Sequence, residues 1–227
     1  MSVDLGGVAF DLDGTLYPNY RLYARLIPFI IREHRLLLAF GRARDTLRGW
    51  PAGEMPPGYR FYREQARLIG AALGEEASVA EKRIEQLIYR GWEPLFTRIK
   101  PYRDVRQTLE RLRAGGLKLG ILSDFPPDTK LANMGLGGLW DTLLCSEVLG
   151  RLKPDPIPFR ELVDRMGLPP ERILYVGNSV SYDIIGAKRE GLKTALIRPS
   201  WWKGGDGNAD FVFSGYRQLS AYVLPLT

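Results

Sequence analysis

The sequence predicts an α/β protein: a doubly wound parallel-sheet core, Rossmann-like in its alternation, with a small all-helical module inserted after the first strand. Three observations predict it. After Pro101, short apolar runs alternate with helical patterns. Residues 17–97 carry apolar side chains at helical spacing and no strand-like run. Acidic, serine and glycine residues gather where the apolar runs stop.

Taken in order, Leu5 to Phe10 is apolar and stops at Asp11, which reads as a short buried strand entering a loop. From Tyr20 to Arg48 the spacing is helical, and Pro28 predicts a break or a second helix start, because proline removes a backbone donor. Gly49 to Gly58, with three prolines, reads as a loop. Helices follow over Tyr59 to Leu73 and Val79 to Tyr89, and Lys100-Pro101 signals a new element. Beyond it come a helix (Val105 to Ala114), strands at Leu117 to Leu122 and Thr142 to Cys145, and a helix (Pro158 to Met166). A strand (Ile173 to Val176), a helix (Ile184 to Glu190) and strands at Thr194 to Ile197 and Phe211 to Phe213 complete the chain. Such alternation implies right-handed crossovers, with the site beyond the carboxyl ends of the strands. The expected division is a core of residues 1–16 and 98–227 and a helical module of residues 17–97.

At 227 residues and 45% hydrophobic content the chain is large enough to bury a core. Its apolar stretches are broken by charge well short of the roughly 20 residues that span a membrane. The N-terminal run carries no basic cluster, so it does not read as a secretory signal, and the cytoplasm is the expected location. Cys145 stands alone and reads as a core residue; His34, the single histidine, reads as a surface or cap residue with no second imidazole to form a metal pair. The formal charge is +6. Eight arginines face three acids between Tyr17 and Arg60, a basic stretch suited to attracting small anions or to covering apolar surface with arginine stems.

The first chemical constellation is Asp11-Leu12-Asp13-Gly14-Thr15, directly after the first strand. Carboxylates at i and i+2 project to the same side, so one can attack an electrophile while the other moves a proton. Gly14 permits a tight turn, and Thr15 is expected to lock it by bonding to backbone. Ser123 ends another strand; its hydroxyl and the amides beside it, Asp124 included, are suited to a phosphoryl oxygen. Lys153 lies between Leu152 and Pro154 in a proline-restricted loop that can aim one ammonium into a cleft. Gly177 to Asp183 offers hard oxygen donors of the kind Mg²⁺ takes, with Asn178 and Asp183 the candidates, or else an N-cap for a helix beginning near Asp183. Trp201-Trp202 reads as packing at a sheet edge rather than as a pocket wall. Asp206 to Asp210 lacks the glycine and glutamate of a calcium loop.

Together, D-x-D-G-T, a strand-terminal serine, a K-P-D-P lysine and a G-[DN]-S-x-x-x-D loop, in that order from Val8 to about Ala187, resemble the haloacid dehalogenase-like superfamily. The helical module resembles the cap of members whose cap follows the first motif. The resemblance implies a phosphatase in which Asp11 is the nucleophile, Asp13 the general acid and base, Ser123 the holder of the transferred phosphoryl group and Lys153 its charge partner. It also implies Mg²⁺ on Asp11, the Asp13 carbonyl and Asp183. Many relatives have aspartate at position 178, so Asn178 implies a weaker metal site.

The expected substrate is a small anionic phosphorylated metabolite, not nucleic acid or a membrane, and a monomer and a homodimer are both compatible. Three rivals stand beside it. A 2-haloacid dehalogenase would normally lack Asp13; a phosphosugar mutase would share these residues; and a binding protein would use the basic cap without needing the acid, base and lysine together.

Overall fold

The computed structural model describes residues 4–50 and 59–224. Strands β1 (Gly7–Phe10), β2 (Lys118–Ser123), β3 (Thr142–Cys145), β4 (Ile173–Gly177), β5 (Lys193–Ile197) and β6 (Phe211–Phe213) form one sheet of order β3-β2-β1-β4-β5-β6. Every pairing is parallel. The first strand therefore lies inside the sheet between β2 and β4, and chain direction across the sheet reverses around it.

Between β1 and β2 run α1 (Asn19–Arg32), α2 (His34–Arg48), α3 (Tyr59–Leu73) and α4 (Ala77–Ile84). The last continues through a π turn (Glu85–Tyr89), the short α5 (Arg90–Trp92) and a 3-10 turn (Glu93–Arg98). Then come α6 (Val105–Ala114), α7 (Asp128–Asn133), α8 (Pro156–Met166), α9 (Ile185–Arg189) and α10 (Tyr216–Val223).

Side-chain alternation along the strands divides the core in two. Val8 and Phe10 face a cluster with Leu109 of α6, Leu131 of α7 and Leu219 of α10. Ala9 faces the opposite layer, with Phe159 and Leu162 of α8 and Ala187 of α9. Leu22 and Leu26 of α1 join the first cluster, whereas α2, α3 and α4 assemble a cluster of their own around Phe40, Ile69 and Ile84.

Three findings depart from the sequence reading. Pro28 lies inside α1, and the break comes at Glu33 instead. Pro28 and Ala24, whose carbonyl loses its helical partner, are both exposed, so water can satisfy that carbonyl. Helices α7 and α10 went unpredicted, being too short to show a period. Trp201 is 74% and Trp202 47% exposed, so the pair is not packed into the sheet edge; Arg198 lies 4.9 Å from the Trp202 ring. The loop expected at Gly49 to Gly58 falls mostly outside the described residues. No helix among the described residues is long and apolar enough to cross a membrane.

Two arginines of α2 turn inward and join the helical insertion to the sheet. Arg44 pairs with Glu147, which is fully buried and also accepts from the Tyr89 hydroxyl at 3.0 Å. Arg48 donates to the Asp124 carboxylate at 3.0 Å and to the Lys153 carbonyl at 2.9 Å. Burial raises the Glu147 carboxyl above its ordinary value in spite of Arg44 and Tyr89. Removing one partner of such a pair strands the other charge out of water. Glu147→Gln should therefore lower the unfolding free energy by about 3 kcal/mol in urea melts, and Arg44→Met with Glu147→Leu should recover most of it. A single variant as stable as the parent would show that the pair contributes nothing.

Candidate active site

The sheet topology brings the sequence-predicted residues to one edge. Asp11 follows β1, Ser123 ends β2, Asp183 follows β4, and Lys153 lies in the loop between β3 and α8. Lys153 occupies the centre. Its Nζ is 2.7 Å from Asp11 Oδ1 and 2.7 Å from Asp183 Oδ1, and it donates to the Tyr175 hydroxyl at 3.1 Å and the Leu122 carbonyl at 3.3 Å. Burial works against this ammonium, but the two carboxylates outweigh it and hold the pKa of Lys153 well above its ordinary value.

Asp11 is itself buried, and its second oxygen accepts from Thr15 Oγ1 at 2.7 Å. Thr15 thus locks the turn through the carboxylate rather than through backbone, which aims that carboxylate. Burial is the largest influence on Asp11; Lys153 opposes it, Asp183 adds to it, and the result is a pKa raised from 3.8 to about 7.

The Asp183 carboxylate is fixed from behind by the amides of Asn178 (3.1 Å) and Ser179 (2.9 Å). It packs so closely over Gly177 that a Cβ there would lie 2.3 Å from its own Cβ. A turn over Val180–Ile184 carries Asp183 inside it, and the cap of that turn is Ser179, which accepts from the Tyr182 amide. Asn178 reaches back to the first loop: a Cβ on Gly14, whose φ is +91°, would meet the Asn178 Nδ2 at 2.1 Å. The donors gathered here, two carboxylates, an amide side chain and the nearby backbone of the first loop, are all hard oxygen donors. Among the described residues no cluster of three or more His, Cys, Asp or Glu is placed to hold a metal.

Asp13 points elsewhere. Its carboxylate accepts from the Tyr17 hydroxyl at 2.6 Å and from Lys130 Nζ at 2.9 and 2.8 Å, and it lines a cavity between the insertion and the sheet. Burial and then Asp13 hold the Tyr17 phenol well above its ordinary pKa, so it remains a donor. Neither partner was evident in the sequence. Tyr17 lies four residues after Asp13, but Lys130 is 117 positions away, on a helix too short to show a period.

Ser123 is buried, and its Oγ accepts from the Phe125 amide at 3.2 Å, which leaves the hydroxyl proton for another acceptor. Asp124 accepts from Ser146 Oγ (2.6 Å), the Lys153 amide (3.1 Å) and Arg48. Burial would raise it, but Lys153, Arg44, Ser146 and Arg48 together hold it below its ordinary value. Its carboxylate is therefore engaged as an anchor between insertion and sheet. Cys145 is buried, and burial followed by Glu147 pushes its thiol up to about 12, so it is no nucleophile near neutral pH. His34 is exposed at the start of α2.

A sequence profile described as haloacid dehalogenase-like hydrolase matches residues 5–191. The chain belongs to the haloacid dehalogenase-like hydrolase family. Within that family it is 31% identical over 196 residues to a glyceraldehyde 3-phosphate phosphatase of Methanopyrus kandleri, covering 84% of this chain and 83% of the relative. It is 32% identical over 226 residues to the pyrophosphatase PpaX of Bacillus velezensis, covering 95% and 88%. An L-2-haloacid dehalogenase from Xanthobacter autotrophicus shares the haloacid dehalogenase-like fold at a TM-score of 0.67 and 21% identity, over 98% of this chain and 100% of that one.

A carboxyl whose pKa rises on folding binds protons in the native state that the unfolded chain releases, so its contribution to stability declines as pH rises through that interval. For Asp11 the interval runs from 3.8 to about 7. With divalent metal removed by chelation, the melting temperature of Asp11→Asn should gain on that of the parent between about pH 4 and about pH 7. A constant difference across that range would mean that Asp11 titrates near its ordinary value.

Proposed function

We propose that this hydrolase cleaves a small phosphomonoester in two steps, through an aspartyl-phosphate on Asp11, with Mg²⁺ as its metal and residues 17–97 as the cap that chooses the leaving group. The observation that carries this reading is the division of labour between carboxylates. Asp11 and Asp183 meet at Lys153, while Asp13 turns away toward the cavity beneath the insertion.

The oxygen donors fit a hard cation: the carboxylates of Asp11 and Asp183, the Asn178 amide oxygen and the Asp13 carbonyl would hold it. When bound, Mg²⁺ offsets charge on the transferring phosphoryl oxygens. With only two protein carboxylates, the substrate phosphate is needed to complete a strong site.

The remaining work falls to the chain's own side chains. An Asp11 oxygen attacks phosphorus, the phosphorus–oxygen bond to the alcohol breaks, and the departing oxygen takes a proton from Asp13. Asp13, now a carboxylate, accepts a proton from water as that water attacks the phosphorus of the acyl phosphate. The bond between Asp11 and phosphorus then breaks, releasing inorganic phosphate and restoring the carboxylate. Lys153 balances the negative charge gathered at Asp11 throughout, and the Ser123 hydroxyl donates to a phosphoryl oxygen. The Asp124 carboxylate is occupied by Arg48 and Ser146, so any part Asp124 takes in binding phosphate falls to its backbone amide.

Asp13 also favours this reading over carbon–halogen cleavage, which needs no second carboxylate to protonate a leaving halide. The test is a panel of phosphate esters assayed with and without Mg²⁺ on the parent and on Asp13→Ala. Asp13→Ala should lose roughly 10²- to 10⁴-fold on an alkyl phosphate and far less on p-nitrophenyl phosphate, whose leaving group needs no proton. Equal losses on both esters would assign Asp13 to loop shape alone, and turnover of 2-chloropropionate without any phosphatase activity would overturn the reading.

A further inference from the structure

Helix α1 is anchored on one side and apolar on the other. Leu22 and Leu26 are buried in the core beneath it, so its outward face is set. That face carries Tyr20, Tyr23, Ala24, Ile27 and Ile31, at i, i+3, i+4, i+7 and i+11, a spacing that an α-helix stacks into one stripe. All five are exposed, Ile31 by 72%. A helix on a protein surface ordinarily turns polar side chains outward. Single exposed apolar residues are common, but a continuous stripe along about three turns marks a contact surface.

The apolar surface extends past the helix. Tyr20 borders a cavity with Tyr102, Arg198 and Trp201, so Trp201, with the Trp202 ring 6.2 Å from its own, lies beside the start of α1. Indole and phenol rings, apolar in body and polar at the tip, suit the boundary between hydrocarbon and water.

Charge decides what this surface meets. Between Pro18 and Arg32 there is no acid, while Arg21, Arg25 and Arg32 stand along one flank of the stripe. Arg21 and Arg25 donate to the carbonyls of Lys100 and Arg98, which brings two more exposed cations close without neutralising any of them. The first acid after the helix, Glu33, has a side chain only 18% exposed and shared between Arg32 and Arg83. A second copy of the chain is therefore a poor partner. However a twofold axis relates two such helices, no carboxylate on one meets an arginine on the other, and antiparallel packing sets arginine flank against arginine flank. A peptide would need a groove, whereas the outward side of a helix is convex. An anionic bilayer supplies hydrocarbon for the stripe and negative headgroups for its flank. Spanning a bilayer takes about 20 apolar residues, but lying on one takes only such a face.

The geometry points to an interfacial docking face: α1, through Tyr20, Tyr23, Ile27 and Ile31, together with Trp201 and Trp202, settles on an anionic lipid surface with Arg21, Arg25 and Arg32 among the headgroups. This inference does not rest on the phosphatase reading.

The test uses the whole protein and sedimentation with two kinds of vesicle, phosphatidylcholine alone and phosphatidylcholine mixed equally with phosphatidylglycerol. The protein should sediment with the mixed vesicles, be released as salt is raised, and bind the neutral ones roughly 10²-fold more weakly, at about fivefold for each of the three arginines. Ile27→Asp with Ile31→Asp should lower the partition roughly tenfold or more, and Ile27→Ser with Ile31→Ser, which adds no charge, by less. Both side chains are exposed, so circular dichroism and melting temperature should match the parent, which separates lost docking from lost folding. The tryptophan emission of the parent should move to shorter wavelength on mixed vesicles, and not in Trp201→Ala with Trp202→Ala. Binding to neither vesicle, equal binding to both, an unmoved emission, or aspartate variants that sediment like the parent would overturn the proposal. So would a lipid-free dimer that dissociates in Ile27→Asp with Ile31→Asp, because it would give the stripe to a second copy.

Discussion

An ammonium removed from water must recover its hydration from the protein, and Lys153, 3% exposed, does so at four oxygens. Those oxygens come from the segment after β1, the end of β2, the middle of β4 and the turn after it. One side chain therefore couples three adjacent strands at their carboxyl edge and sets the approach of Asp11 to Asp183. Without it, two buried carboxylates would face each other uncompensated. The loop that carries Lys153 is held in turn by Asp124, through the Lys153 amide, and by Arg48 of α2, through its carbonyl. The position of the central cation thus depends on the insertion being seated on the sheet.

This dependence changes the meaning of the arginine-rich stretch. Read as sequence, it suggests a basic face that gathers anions from solution. In the structure, Arg44 and Arg48 are spent on Glu147 and Asp124, and Arg21 and Arg25 donate to backbone carbonyls of the segment 98–101. Much of the excess charge therefore fastens the helical insertion to the sheet, while Arg32, Arg35, Arg42 and Arg60 are exposed.

Strands were legible because buried parallel strands are short continuous apolar runs, and the candidate residues stood at the end of one or in the loop that follows it. Asp11, Ser123, Lys153 and Asp183 do meet at one edge, because parallel strands all present their carboxyl ends there. What could not be read were contacts that depend on packing across long sequence separations. Lys130 reaches Asp13 from a six-residue helix, and Glu147 and Arg44 find each other over 103 positions. Local signals also misled where solvent decided the outcome: Pro28 should have broken α1, but it and Ala24, whose carbonyl it leaves without a helical partner, are both exposed.

The central claim is that Asp11, buried and held by Lys153 and Thr15, becomes covalently phosphorylated. It is tested most directly by acid-quenching the enzyme within its first turnover of a phosphate ester in the presence of Mg²⁺ and mapping the adduct by peptide mass spectrometry. The account predicts one phosphoryl group on the peptide containing Asp11, labile to hydroxylamine and absent from Asp11→Asn. Rapid single-turnover release of phosphate with no adduct, or an adduct on any other residue, would contradict it.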